Sequence, residues 1–535
     1  MNRSVIAVSL IAISMGQTGQ GALAGPAVSG PFVGTYEPER MDQPYLPGAG
    51  QMRGGLRDVS RAPVGSVQVN VDANGLNIVG DAANEPSIAI DPTNPNRMAI
   101  GWRQFDTIAS SFRQAGNAYS TDAGAMWTFP GVLTPGLFRS DPVLCADNTG
   151  RFFYNSFRDT LCVDVFQSAN AGMTWPISVP AFGGDKAWMD VDRTGGKGES
   201  ILYMAWQTAA SCPSGPIGAS FTRSTDRGDS WLTPVAIPNN PRFGVTAVGP
   251  DGAVYVTGIT GASSSFVVAK STNAQFSGVL PTFDFSVTGD FLGGAPVLGG
   301  IPNPAGLLGQ VWIAASPLNA SNVYLLCSVH APGADTMDVK FARSLDGGQT
   351  WGVPVRVNDD PTNSVAWQWF GTMSVAPNGR IDVVWNDTRD DPLNKLAILY
   401  YSFSVDEGVT WAANRPLTPQ WDSRIGWPQQ NKIGDYYHMI SYNDAAHLAY
   451  AATFNGEQDV YYMRITPLPT CDTCAGDLNG DSSADGSDIG SFLNCVLRFP
   501  VTAPTCGCAD MNGDQVIDLN DITPFVERLL LGGCQ

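Results

Sequence analysis

The chain has 535 residues, too many for one ordinary domain, and sets 30 Lys and Arg against 49 Asp and Glu, a net charge of −19. That balance argues against a nucleic-acid partner, which needs basic patches to meet phosphate. With 59 Gly, 38 Pro and 10% aromatic residues, the composition suits many short strands joined by tight turns.

Arg3, an apolar run over 5–15 and the small-x-small set Ala22-Leu23-Ala24 predict a secretory signal over 1–24. No later run reaches about 18 apolar residues, so no membrane span is expected. Residues 25–65 are rich in Gly and Pro without a sustained period and read as an irregular lead-in. In an exported chain the ten Cys are permitted to pair.

Residues 66–71 alternate as a strand does. Beyond them one octapeptide recurs, Ser-x-Asp/Asn-x-Gly-x-x-Trp, over 120–127, 168–175, 224–231, 344–351 and 404–411. In such a turn the Asp or Asn side chain accepts backbone N–H groups, the Gly takes a positive φ and the Trp buries a large apolar area. One gap is double the others, and Ser271-Thr-Asn-Ala-Gln-Phe276 stands where a decayed copy belongs. A repeat of this length predicts one supersecondary unit copied around an axis or along a solenoid.

The octapeptide resembles the Asp-box of bacterial sialidase-like (BNR-repeat) β-propellers, and the resemblance covers 66–468. It implies an all-β fold of four-stranded antiparallel blades, and the units between turn signals count to seven, with six as the alternative. Their first strands fall near 87–90, 141–145, 187–191, 244–248, 311–314, 371–375 and 437–440. The last unit lacks a fourth strand, which the segment at 66–71 would supply, closing the ring and removing two open sheet edges.

After Pro467-Leu-Pro469 the composition changes, and 469–535 forms a separate domain. Asp477, Asn479, Asp481, Asp485 and Asp488 place oxygen side chains at loop positions 1, 3, 5, 9 and 12, and Asp510, Asn512, Asp514, Asp518 and Asp521 repeat them. Ser483 and Val516 would add backbone carbonyls at position 7, giving the dense oxygen arc that Ca2+ requires at each of two sites. Each loop leads into apolar residues at helical spacing. Gly at position 4, Asp at position 12, the duplication and the absent incoming helix resemble a type I dockerin. That implies a small α-helical calcium-loop domain and a cohesin-like partner, although Gly486-Ser487 and Leu519-Asn520 depart from the Ser/Thr-rich recognition pair. Six Cys crowd into this tail: disulfides are the first reading, and zinc held by Cys471, Cys474, Cys506 and Cys508 is the alternative. Cys162 and Cys212 fall in equivalent loops and could pair, whereas Cys145 and Cys327 read as buried thiols.

Polar residues precede the first strands or follow the second ones, and these loops share one face of a propeller: Glu85, Arg103, Asp106, Asp141, Asp185, Lys186, Asp190, Arg242, Gln368, Asp387, Arg389, Asp435 and Tyr436. Sialidases resemble a set of three Arg that grip a carboxylate, an Asp acid and a Tyr nucleophile activated by Glu. The positional stand-ins are Arg103, Arg242 and Arg389 for substrate, Asp106 as acid, Tyr436 as nucleophile and Glu85 as its base. The family's Arg-Ile-Pro motif is absent. The expectation is therefore a secreted protein acting on an extracellular glycan or glycoprotein as a sialidase-like glycoside hydrolase. The alternative is a non-catalytic glycan- or protein-binding propeller.

Overall fold

The structure, a computed structural model, describes Pro63 and residues 65–535 except 262–264, 297, 331–332, 334, 468–470, 472–473, 480, 482, 498–503, 513–516 and 532–535. The described residues belong to one compact unit, Val33–Gln535. The signal over 1–24, nearly all of the lead-in, Asp514 and Val516 lie outside them.

Seven antiparallel sheets follow one another as blades of a β-propeller, and the six-bladed alternative is set aside. The innermost strands (A) are Ala82–Ile90, Ser140–Ala146, Trp188–Val191, Thr246–Val248, Trp312–Ala315, Gln368–Val375 and His438–Ser441. Each pairs with a B strand and that with a C strand, as in blade 2, where Ser140–Ala146, Phe152–Phe157, Val163–Ser168 and Ile177–Pro180 are neighbours in that order. Not every blade has a full fourth strand. In blades 1 and 3 it is reduced to isolated bridges, Ala115 with Leu133, Tyr119 with Thr128 and Phe221 with Val235. In blade 7 the outer neighbour of Asp459–Ile465 is Ser66–Gln68, in antiparallel register with Ser66 opposite Met463.

The A strand of blade 1 is buried at all nine positions, because blades crowd it from both sides. The octapeptides explain how the blades are held together. In each, the Ser hydroxyl donates to the Asp or Asn side chain and accepts from the Gly N–H, and that same side chain accepts from the N–H just before the Trp. The Gly then seats on the preceding blade. A Cβ on Gly408 would lie 2.1 Å from Phe341 Cε1, and one on Gly124 would lie 2.2 Å from Tyr462 Cε1. At Ser271 the turn is vestigial: its hydroxyl bonds Asn273 Oδ1 and the Ala274 N–H, both at 3.1 Å.

Two features have no counterpart in the repeat. A hairpin, Leu298–Gly300 with Asn303–Leu307, precedes blade 5, and an irregular segment over 421–437 precedes blade 7. Cys162 and Cys212 form a disulfide between loops of blades 2 and 3, and Cys145 and Cys327 are buried free thiols.

In the tail, helices Ile489–Leu497 and Ile522–Leu531 bring Phe492 and Phe525 into a stack with ring centroids 3.8 Å apart. Cys471–Cys508 and Cys495–Cys506 are disulfides and Cys474 is also disulfide-bonded, which overturns the zinc alternative. Among the described residues, no helix is long and apolar enough to cross a membrane.

Candidate functional site: a central channel closed at one end

Five of the seven A strands carry, within three residues of their start, a non-glycine residue in an unusual backbone conformation. Glu85, Asp141, Lys186, Phe243 and Phe370 have φ between 50° and 59°, and register shifts mark the same point at 84–87, 140–143 and 369–372. A non-glycine held at positive φ costs about 1–3 kcal/mol and persists only where its surroundings over-determine it. At Glu85, Asp141 and Lys186 those surroundings are electrostatic.

Arg103 Nη2 lies 3.1 Å from Glu85 Oε1, and its Nε donates to Asn84 Oδ1 at 2.8 Å. Lys186 Nζ lies 2.9 Å from Asp141 and 2.6 Å from Asp435, which Lys432 Nζ also meets at 2.9 Å. All of these side chains are buried. Burial pushes the Glu85 carboxyl up to about 8 against the pull of Arg103 and Lys186. Burial also works against ionisation of Asp141 and Asp435, but there the facing cations outweigh it and hold both below the usual carboxylate range.

The two unrepeated segments form a cap over this cluster. Asn303 donates to the Gly434 carbonyl and accepts from the Ile433 N–H, and Ala305 N–H bonds the Asn431 carbonyl. Gln430 Oε1 accepts from Arg103, and the Leu307 N–H reaches Asp435 Oδ1. The polar face expected to be an open mouth is thus a closed one.

From the other end the axis is open. A cavity of about 500 Å³ runs between the A strands, lined by Cys145, Trp188, Asp190, Val245, Trp312, Ala314, Met373, His438 and Ile440, with Arg193 and Tyr442 also on its wall. Trp188 stands edge-on to Trp312 at 5.2 Å and to Tyr436 at 5.5 Å, and His438 stacks on Trp312. The His438 Nδ1 accepts from the Ile88 N–H and meets the Ser87 hydroxyl at 2.8 Å, which assigns the ring proton to Nε2. Burial pushes His438 down to about 3, so the ring is neutral. Asp190 and Arg193, both partly exposed, lie 3.9 Å apart.

Of the residues singled out from the sequence, Glu85, Arg103 and Tyr436 belong to one buried network. The Tyr436 hydroxyl donates to the Pro142 carbonyl at 2.9 Å, and burial keeps it protonated well above the ordinary phenol range. Asp106 is exposed and accepts from Gln114. The three Arg keep separate partners. Arg389 pairs with Asp387 and Asp359, while Arg242 lies over the Phe243 ring and donates to the Gly261 carbonyl. Lys432 and Gln430, central to the closed cluster, escaped the sequence because the segment that carries them has no period.

The two tail loops share one frame. Asp488 Oδ1 accepts from the N–H groups of Leu478 and Asn479 and its Oδ2 from Asp485; Asp521 takes Met511, Asn512 and Asp518 likewise. Around the first frame, Asp481 accepts from Asn479 and Ser483, and Asp485 accepts from Ser487. Among the described residues no group of three or more His, Cys, Asp or Glu forms a ready ligand set.

No family model matches the chain, and no curated protein matches it in sequence. Solved structures are similar in architecture alone. A protein of unknown function from Dyadobacter fermentans is 13% identical over 76% of this chain and 98% of its own, with a TM-score of 0.41. The phage phi92 endosialidase is 9% identical over 76% and 69%, at 0.43. A Trypanosoma rangeli sialidase in complex with the inhibitor DANA is 12% identical over 76% and 58%, at 0.35.

Proposed function

We propose that the chain is an exported glycan-binding β-propeller whose channel takes a terminal sugar unit, carried on a calcium-binding, dockerin-like tail. The observation that carries this reading is the aromatic wall of the channel. Trp188 and Trp312, packed together and each 5% exposed, give the channel an apolar wall against which the C–H groups of a sugar would lie, while Asp190, Arg193 and the His438 Nε2–H supply a few polar partners, the usual make-up of a small-ligand site. Disulfides within the propeller and the tail support export, since such bonds persist in oxidising compartments. The pairing of Ser66–Gln68 on the last blade supports reading the propeller as a ring closed by its own first strand.

The loop residues Asp477, Asn479, Asp481, Ser483, Asp485 and Asp488 would hold one Ca2+, and Asp510, Asn512, Asp518 and Asp521 would contribute to a second. The match between the two hydrogen-bonded frames is what supports the pair. A cohesin-like receptor for the tail belongs to the same reading.

A glycan array probed with the wild-type chain and with Trp188→Ala tests the channel: the wild type binds a restricted set of terminal sugars, and the variant loses at least tenfold in affinity. Equal binding by both would overturn the assignment. A second reading, a sialidase-like hydrolase, rests on Glu85, Arg103 and Tyr436 sharing one network and requires the cap over that network to open. In that case a fluorogenic sialoside is turned over by the wild type and not by Tyr436→Phe.

A further inference from the structure

The make-up of the open channel narrows which sugar it accepts, an inference that rests on the channel being the sugar site. Among the described residues, Asp190 and Arg193 are the only charged side chains on its wall. They carry opposite signs and lie 3.9 Å apart. The Arg193 guanidinium also reaches the Ala146 carbonyl at 3.4 Å, which leaves most of its five donors to spare, and Asp190 Oδ1 accepts from the Val191 N–H. A carboxylate and a fork of N–H donors side by side can bind two neighbouring hydroxyls at once, one donating and one accepting.

The third polar group adds no charge. The Leu144 N–H donates to Ser87 Oγ at 2.9 Å, so the Ser87 proton turns to His438 Nδ1, which also accepts from the Ile88 N–H. Nε2 therefore carries the ring proton, a donor on an uncharged imidazole that lines the channel. No cation is left over for an anionic ligand. Burial raises the Asp190 carboxyl above its ordinary range although Arg193 pulls the other way, so the wall does not fully offset the charge it already holds. A ligand carboxylate would enter among Trp188, Trp312 and aliphatic side chains, and a charge taken out of water without a partner is costly. The central cations Arg103, Lys186 and Lys432 lie toward the closed end, paired with Glu85, Asp141 and Asp435. The Tyr436 ring, 5.5 Å from Trp188 and 5.9 Å from Lys186 Nζ, stands between them and the channel.

We infer that the channel selects an uncharged sugar unit through neighbouring hydroxyls, one donating to Asp190 and one accepting from Arg193, and rejects units that carry a carboxylate. The two side chains neutralise each other, so together they read hydroxyl geometry without favouring either sign of charge. The His438 Nε2–H would add a third contact, to a ring or hydroxyl oxygen of the same unit.

The test is a set of immobilised glycans matched except at the terminus, ending in a neutral hexose, the corresponding hexuronic acid or a sialic acid, probed with the full chain. The wild type holds the neutral terminus at least tenfold more tightly than either acid. Asp190→Asn, which removes the negative charge and keeps the shape, shrinks that ratio at least threefold, and Arg193→Gln weakens binding of the neutral terminus. An acidic terminus bound as tightly as the neutral one, and lost in Trp188→Ala, overturns the selection while the channel remains a sugar site. A ratio unchanged in Asp190→Asn also overturns it. Binding that Trp188→Ala leaves intact, or no binding to any terminus, overturns the sugar site and this inference with it. The comparison of termini on the wild type does not depend on the folding of any variant.

Discussion

Glu85 is a carboxyl held at positive φ, without solvent, beside an arginine that does not fully restore its charge. Its folded value of about 8 lies above the ordinary 4.5, so the folded chain binds this proton more tightly than the unfolded one. The stability Glu85 contributes is complete below about 4.5 and is lost as pH rises through about 8. Glu85→Gln therefore flattens the pH dependence of the thermal midpoint over that window and stabilises the fold at its upper end. Much of this cluster was legible because Glu85, Asp141, Lys186 and Asp435 stand at or next to the start of an A strand, where a repeat brings equivalent positions together. What the pattern could not carry was burial. Asp190, in the same group of polar residues, lines the open channel instead: it shares the inward face with Trp188 two residues earlier, and the advance along Trp188–Val191 carries it away from the closed end.

The five octapeptide turns act as fasteners between elements. Asp346 accepts from the Ser344 hydroxyl, the N–H groups of Gln349 and Thr350 and the Thr350 hydroxyl. Asp346→Ala removes these at an exposed turn and should cost about 1–2 kcal/mol in denaturant unfolding. Gly408→Ala should cost more, roughly 2–4 kcal/mol, because a Cβ meets the Phe341 ring and φ is +79°. The glycine was readable from the motif. The residue before it was not: Ala123, Ala171, Arg227 and Glu407 also sit at positive φ, a strain that several unrelated side chains tolerate and no composition reveals. The Cys162–Cys212 bridge spans 50 residues and joins adjacent blades. Replacing both by Ser should lower stability by about 4 kcal/mol on the loop-entropy account, seen as an earlier unfolding midpoint.

For the whole molecule, repetition made the propeller readable, while the insertions that give it individuality were not. The hairpin at Leu298–Gly300 and Asn303–Leu307 and the segment over 421–437 have no period, and their meeting depends on contacts such as Asn303 with Gly434 across more than a hundred residues. In the tail, adding calcium to the chelated chain should increase helical circular dichroism, and the increase should vanish in Asp477→Ala with Asp510→Ala; an unchanged spectrum would count against metal in those loops.

A tube stoppered at one extremity admits visitors and releases them by the same door. A long polymer cannot be threaded through it, so a ligand that ran the depth of the tube would have to enter by a free tip. Reach into the tube is then limited by its depth, and shortening a ligand from its far side should scarcely alter how well its tip is held.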